Sequence, residues 1–142
     1  MKHLIAIAGV LLCAAAPLAE EQDDVAEIRA LLIESYVDGI YINRDEDAVR
    51  KGFHPDFVLH VLDHGQLIQA PLDMWLARLQ LDGEKSRSSY DYSFESVDVT
   101  GTSAVVKMEI HEDSRHLYTD YFGLYKFADG WMIVNKIFSG HN

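Results

Sequence analysis

Cysteine is almost missing from this chain: Cys13 is the only one in 142 residues, so no intramolecular disulfide can hold the fold. Stability has to come from a packed core, and the length suits a single one. Positive charge is scarce as well. Twelve Lys and Arg stand against 23 Asp and Glu, giving a net charge of −11, and the basic residues form no cluster longer than neighbours such as Arg50-Lys51. A phosphate backbone is repelled by that balance, so nucleic acid is excluded as a partner. Also missing are a Ser-His-Asp order, a nucleophile elbow, a glycine-rich phosphate loop and a paired-cysteine metal signature. No repeat and no low-complexity tract replaces them. No cofactor and no metal is therefore assigned.

Long hydrophobic runs are limited to one, Leu4 to Ala19. It is shorter than the ~20 residues a spanning helix needs, and Pro17 followed by Glu20-Glu21 interrupts it. No membrane span is expected. Preceded by the basic Met1-Lys2-His3 and ending in small residues, the run reads as a secretory signal peptide over residues 1–19. Cleavage after Ala19 leaves a domain of residues 20–142 in the periplasm or outside the cell. It removes Cys13 and, of the charged side chains, only Lys2, which takes the net charge from −11 to −12. Lipid attachment at Cys13 is disfavoured, because Leu12 stands where a small residue belongs.

What is present begins with Asp23-Asp24 and an apolar stripe of Val25, Ile28, Leu31, Leu32, Tyr36 and Ile40 at helical spacing. Asn43 followed by Glu46 fits a capping box opening a short second helix, which His54-Pro55 ends. Phe57 to Leu62 and Gln66 to Gln69 read as a small hairpin about Asp63-His64-Gly65. Pro71 suits the first position of a third helix carrying Leu72, Trp75, Leu76 and Leu79, with Gly83 as its stop. Four strands follow: Tyr90 to Val99, Ala104 to His111, and a long hairpin of Tyr118 to Phe127 and Trp131 to Phe138 around Ala128-Asp129-Gly130. Helices gathered on one face of such a sheet make an α+β architecture.

Polar residues within those strands are the candidate chemistry. Asp120, between Tyr118 and Phe122, is the sharpest acid or base candidate; His60 is the second. The hairpin turn decides the neighbours of Asp120. A three-residue loop puts it on one face with Lys136, as an ion pair, whereas a two-residue Asp129-Gly130 turn puts it beside Ile133, Asn135 and Ile137. The three-residue loop is preferred, because it keeps Lys126 and Lys136 out of an apolar interior where desolvation is costly. Asn135 then alternates with Trp131, Ile133 and Ile137 and joins Tyr121 and Tyr125 in an aromatic wall suited to a planar ring. His60, Asp63 and His64 fail as a metal triad, since strand spacing separates the two rings by ~13 Å. His111 and His116 face each other across a turn; with Glu112 and Asp113 adjacent a loose divalent-ion site is the alternative, and the favoured reading is an exposed polar rim.

The order of elements is similar to the cone-shaped nuclear transport factor 2-like (NTF2-like, SnoaL-like) superfamily. The segments Tyr36-Val37-Asp38-Gly39-Ile40-Tyr41, Phe53-His54-Pro55-Asp56, Pro71-Leu72-Asp73-Met74-Trp75-Leu76, Val97-Asp98-Val99-Thr100-Gly101, Thr119-Asp120-Tyr121 and Trp131-Met132-Ile133-Val134-Asn135-Lys136 resemble its putative lumazine-binding family. The resemblance implies an NTF2-like cone, with three N-terminal helices packed on a curved antiparallel sheet, and a homodimer formed through the outer sheet face. The residues themselves point to a small cyclic or aromatic ligand in a pocket lined by Tyr36, His60, Trp75, Tyr121, Tyr125 and Asn135. The alternative is a small isomerase, dehydratase or cyclase using Asp120 or His60 in the same pocket.

Overall fold

The computed structural model describes residues 16–141; the first fifteen residues of the expected signal peptide lie outside them. Helix α1 (Ala16–Leu32) runs on without a break as a π-helical segment, Ile33–Ile42. Ile28, Leu32, Tyr36 and Ile40 form its buried stripe, four residues apart. The wide turns carry through to the end, where the Asn43 N–H reaches Asp38 O at 2.6 Å, five residues back. Gly39 serves close packing here: a Cβ on it would lie 3.0 Å from Val49 Cγ2 of the next helix.

Helix α2 (Glu46–Gly52) starts two residues later than the Asn43 capping box predicts. Arg44 takes up a left-handed φ of 53°, and Asp45 becomes the cap, accepting from Ala48 N at 3.2 Å. The hairpin of β1 (Phe53–Asp63) and β2 (Gln66–Pro71) follows, then helix α3 (Leu72–Leu79). Gln80 ends α3 at φ 49°, where Gly83 was expected. Among the described residues two helices therefore precede the sheet, and the third is inserted after its first hairpin, so the expectation of three N-terminal helices holds in part.

Strands β3 (Tyr90–Thr100), β4 (Ser103–Glu112), β5 (Arg115–Phe127) and β6 (Gly130–Gly140) complete a six-stranded curved sheet of order β2-β1-β6-β5-β4-β3. It is mixed: β1 and β6 pair in parallel, while every other neighbouring pair is antiparallel. The inner face alternates as Ala104, Val106, Met108 and Ile110 on β4, facing Phe122 and Leu124 on β5. The stripe of α1, with Trp75 and Leu76 of α3, covers that face and completes one core. At the rim, Asp24 of α1 accepts from Lys126 Nζ at 2.6 Å and from Trp131 Nε1 at 2.9 Å. Those two hydrogen bonds hold its carboxyl below the usual carboxylate range and pin the helix to β5 and β6.

Candidate functional site: an ammonium in an aromatic box

The C-terminal hairpin turns at Ala128-Asp129, with Phe127 opposite Gly130 and Gly130 at φ 118°. From there the pairing runs to Leu124 opposite Ile133 and then shifts by one, so that Gly123 faces Asn135 and Phe122 faces Lys136. Val134 is the extra residue, a bulge. Beyond it the register is the one a three-residue loop would set, although the turn itself holds two residues. Asp120 and Lys136 accordingly share a face, and that face is the interior.

Their arrangement is a closed polar cluster. Lys136 Nζ lies 2.8 Å from Asp120 Oδ1 and donates to the Tyr36 hydroxyl at 2.7 Å. Tyr36 donates in turn to Asp120 Oδ2 at 2.7 Å. Because that commits the only Tyr36 proton, the Tyr41 hydroxyl at 2.9 Å is the donor of its contact with Tyr36. Asp120 and Tyr36 are fully buried and Lys136 is 5 % exposed. Asp120 Oδ1, although in ionic contact with the ammonium, is off hydrogen-bond geometry and has no hydrogen-bond partner. That oxygen is met by the ammonium alone.

Desolvation is offset by rings as well as by the carboxylate. The Lys136 ammonium stands 4.7 Å from the centroid of Tyr36, 5.0 Å from Phe138, 5.7 Å from Phe122, 5.8 Å from Trp75 and 5.9 Å from Tyr118. Each presents π density to a cation at a useful range. This is why the sequence argument that lysines stay out of the cone fails for Lys136: it treated the interior as featureless hydrocarbon. Burial still dominates, pushing the Lys136 ammonium below the usual lysine range against the opposing pull of Asp120. Burial likewise pushes the Tyr36 and Tyr41 phenols up, so both stay protonated donors.

Tyr36 and Trp75 stand in this interior, but Asn135, Tyr121 and Tyr125 do not. Tyr121 and Tyr125 are 39 % and 52 % exposed on the outer sheet face. Asn135 caps the bulge there, its Oδ1 accepting from Gly123 N at 3.1 Å. A Cβ at Gly123 would come within 2.6 Å of that oxygen, so the glycine makes room for the cap. Extending the Trp131-Ile133 alternation to Asn135 ignored the bulge, which reverses it. His60 lies opposite Gln69, next to Leu59, which pairs with Lys136; it therefore points to the outer face, away from Asp120. His64 is exposed and meets only Asp63, at 2.7 Å. Sequence reasoning missed Tyr41, Phe122 and the box-forming Tyr118 and Phe138. The available signal was charge flanked by aromatics on one face, Tyr118-Asp120-Phe122 opposite Lys136-Phe138.

Two cavities border these elements. One of about 280 Å³ lies on the outer face beside Asp98, Thr100, Tyr125, Val134 and Asn135. Another of about 500 Å³ opens at the rim by Glu20, Asp24, Thr102 and Lys126. Neither is lined by the Lys136 cluster, where the chemistry is concentrated. No helix among the described residues is long and apolar enough to cross a membrane.

The fold recurs in solved structures. An NTF-2 like protein of unknown function from Silicibacter pomeroyi DSS-3 superposes with a TM-score of 0.72 at 21 % identity, covering 85 % of this chain and 98 % of that one. An NTF2-like protein of unknown function from Shewanella baltica OS155 gives 0.70 at 21 %, over 87 % and 96 %. The association domain of C. elegans CaMKII gives 0.60 at 15 %, over 88 % and 98 %. No curated protein matches the chain. The family described as "Putative lumazine-binding" matches residues 23–139, which takes in the α1 stripe, the aromatic box and every strand, and the chain belongs to that family of NTF2-like proteins.

Proposed function

We propose that this is an exported small-molecule-binding protein whose site is the Lys136 box inside the cone. The carrying observation is a buried ammonium, carboxylate and phenol held within five aromatic rings, with Asp120 Oδ1 met by the ammonium alone. Buried ionic groups cost stability relative to apolar packing, and a site that keeps them is the expected signature of recognition. A planar nitrogen heterocycle of the lumazine kind matches the set: a ring N–H for Asp120 Oδ1, a ring carbonyl for Lys136 or Tyr41, and aromatic faces for stacking. Half-buried Tyr118 and Phe138, in edge-to-face contact at 5.6 Å, close the cluster and swing aside to admit such a ring. Because Trp75 lies beside Lys136, lumazine titrated into the protein is expected to quench tryptophan fluorescence saturably. Lys136→Met should abolish that response, and an equal response in Lys136→Met would refute the site.

A second reading has a specific support, the lowered proton affinity of Lys136. An ammonium so placed transfers a proton more readily than free lysine, and with Asp120 it forms an acid and base pair for isomerisation or dehydration of a carbonyl compound. Catalytic turnover of a bound ring compound, lost in Lys136→Met, separates enzyme from binding module.

The outer face carries Val105, Tyr121, Tyr125 and Ile137, all at least 39 % exposed. We propose that a second copy covers this patch, since so broad an apolar strand face is an association surface. Ile137→Asp is expected to convert a dimer to a monomer in light scattering; a monomeric parent protein at high concentration would rule the dimer out.

A further inference from the structure

We propose that Glu109, His111 and His116 form a binding site for one divalent transition-metal ion of the zinc class, on the outer sheet face and separate from the cone. The β4–β5 hairpin builds it. Asp113 and Ser114 turn the chain with both φ values positive, 48° and 68°, which leaves His111 directly opposite His116. A register shift follows at once, with Ile110 pairing Tyr118 and Glu109 pairing Thr119. Leu117 is the extra residue, and it brings His116 onto the face that His111 and Glu109 already occupy.

The donors converge. Glu109 Oε2 is 3.9 Å from His111 Nε2 and 4.0 Å from His116 Nε2, and all three ligand atoms lie within 4.8 Å of one another. Around a zinc ion with bonds of about 2.0–2.2 Å, tetrahedral ligands stand roughly 3.4 Å apart, a difference that side-chain rotation covers. Two imidazoles and one carboxylate form a common three-ligand set, leaving a coordination position for water or an incoming molecule.

Surrounding groups already orient the rings. His111 stacks on His116 at 4.7 Å, and His116 on His141 at 3.8 Å, with interplanar angles near 20°. The Thr119 hydroxyl, buried on this face, sits 3.2 Å from His116 Nε2 and 3.0 Å from His141 Nε2. His116 Nε2 also lies 3.1 Å from Tyr118 O, a bond that the metal replaces. The Thr119 contact is made by the same Nε2 that ligates the metal, so the ion displaces it as well and leaves the hydroxyl to His141. Along the outer face, Glu109 lies two rows from Val105 and three from Tyr125, with the Lys107–Tyr121 pair in the row next to it.

The test is a zinc titration of the purified chain, prepared without a histidine tag, followed by calorimetry. One ion per chain with micromolar or tighter affinity is expected, weakened about 100-fold or more in His111→Ala and in His116→Ala and unchanged in His64→Ala. Cobalt in place of zinc should give the strong visible absorption of a four-coordinate site in the parent protein, a reading that needs no variant to fold. An absence of saturable zinc binding, or binding that survives the double His111→Ala, His116→Ala change, overturns the site. Neither outcome bears on lumazine binding in the cone, which is read separately through Trp75.

Discussion

Asp120→Asn is expected to destabilise the protein by about 3–5 kcal/mol, because it leaves the Lys136 ammonium in the interior without its counter-charge. The substitution is nearly isosteric, so no cavity contributes. The Tyr36 proton, now directed at Asp120 Oδ2 at 2.7 Å, would meet an amide in place of a carboxylate, and the five rings alone would face the cation. Urea unfolding measures the loss as a lower midpoint at unchanged slope. Replacing both partners, as Asp120→Leu with Lys136→Met, should recover most of it, since an apolar pair of similar volume avoids desolvating any charge. Tyr36 would keep Tyr41, at 2.9 Å, as its partner. The doubly substituted protein is thus expected to be stable and blind to lumazine. A single-variant cost below about 1 kcal/mol, within reach of an exposed pair, would mean that the cluster is hydrated and that the aromatic box is not its environment.

Gly52→Ala is the second large effect, and its sign is diagnostic. Alanine ordinarily favours a helix over glycine by about 1 kcal/mol, yet a Cβ at position 52 would stand 2.5 Å from Ser35 Cβ, overlap Ser35 Oγ and reach Leu31 Cδ1 at 3.1 Å. Ser35 is buried in the π-helical segment, and its Cβ is fixed to backbone, so the helices must part. Such overpacking costs about 1–3 kcal/mol. Ser35→Gly in the same chain removes the obstruction and is expected to restore the thermal midpoint. Because Ser35 precedes Tyr36, the displacement should also pull the phenol from Lys136 and reduce ligand affinity along with stability. A Gly52→Ala protein more stable than its parent would show that the two helices do not approach this closely.

Much of the architecture is legible in residue order. Stripes of four, Pro71 before an apolar helix, and paired aromatic strands place the three helices and six strands within a few residues. The site is legible only up to the bulge. Asp120 and Lys136 can be paired from their spacing, but the side on which they fall depends on Val134, which looks like any β-branched strand residue. Nothing in Trp131-Met132-Ile133-Val134-Asn135 marks where alternation breaks, except that Asn135 needs a backbone partner and Gly123 stands across the hairpin to give one. The Asp113-Ser114 turn is equally silent, since both residues adopt conformations usually given to glycine or asparagine. The largest error was energetic: a lysine was priced against hydrocarbon, whereas the rings around it carry quadrupoles that favour the cation.

The bulge at Val134 also acts as a phase setting for everything downstream of it. Residues from Asn135 to Gly140 form two interleaved sets, one carrying Lys136 and Phe138, the other Asn135, Ile137 and Ser139. Side-chain direction alternates with a period of two, so the sets would exchange wholesale if Val134 were taken into the ladder as a regular residue and the strand beyond it slipped by one. That slip would draw an amide and an isoleucine into the cone and turn the ammonium out to the surface, whereas deleting Val134 would leave Asn135 opposite Gly123 and Lys136 opposite Phe122, as they are now. A charged or a neutral interior thus turns on whether the bulge persists, and the Asn135 side chain that accepts from Gly123 N at 3.1 Å acts as its latch.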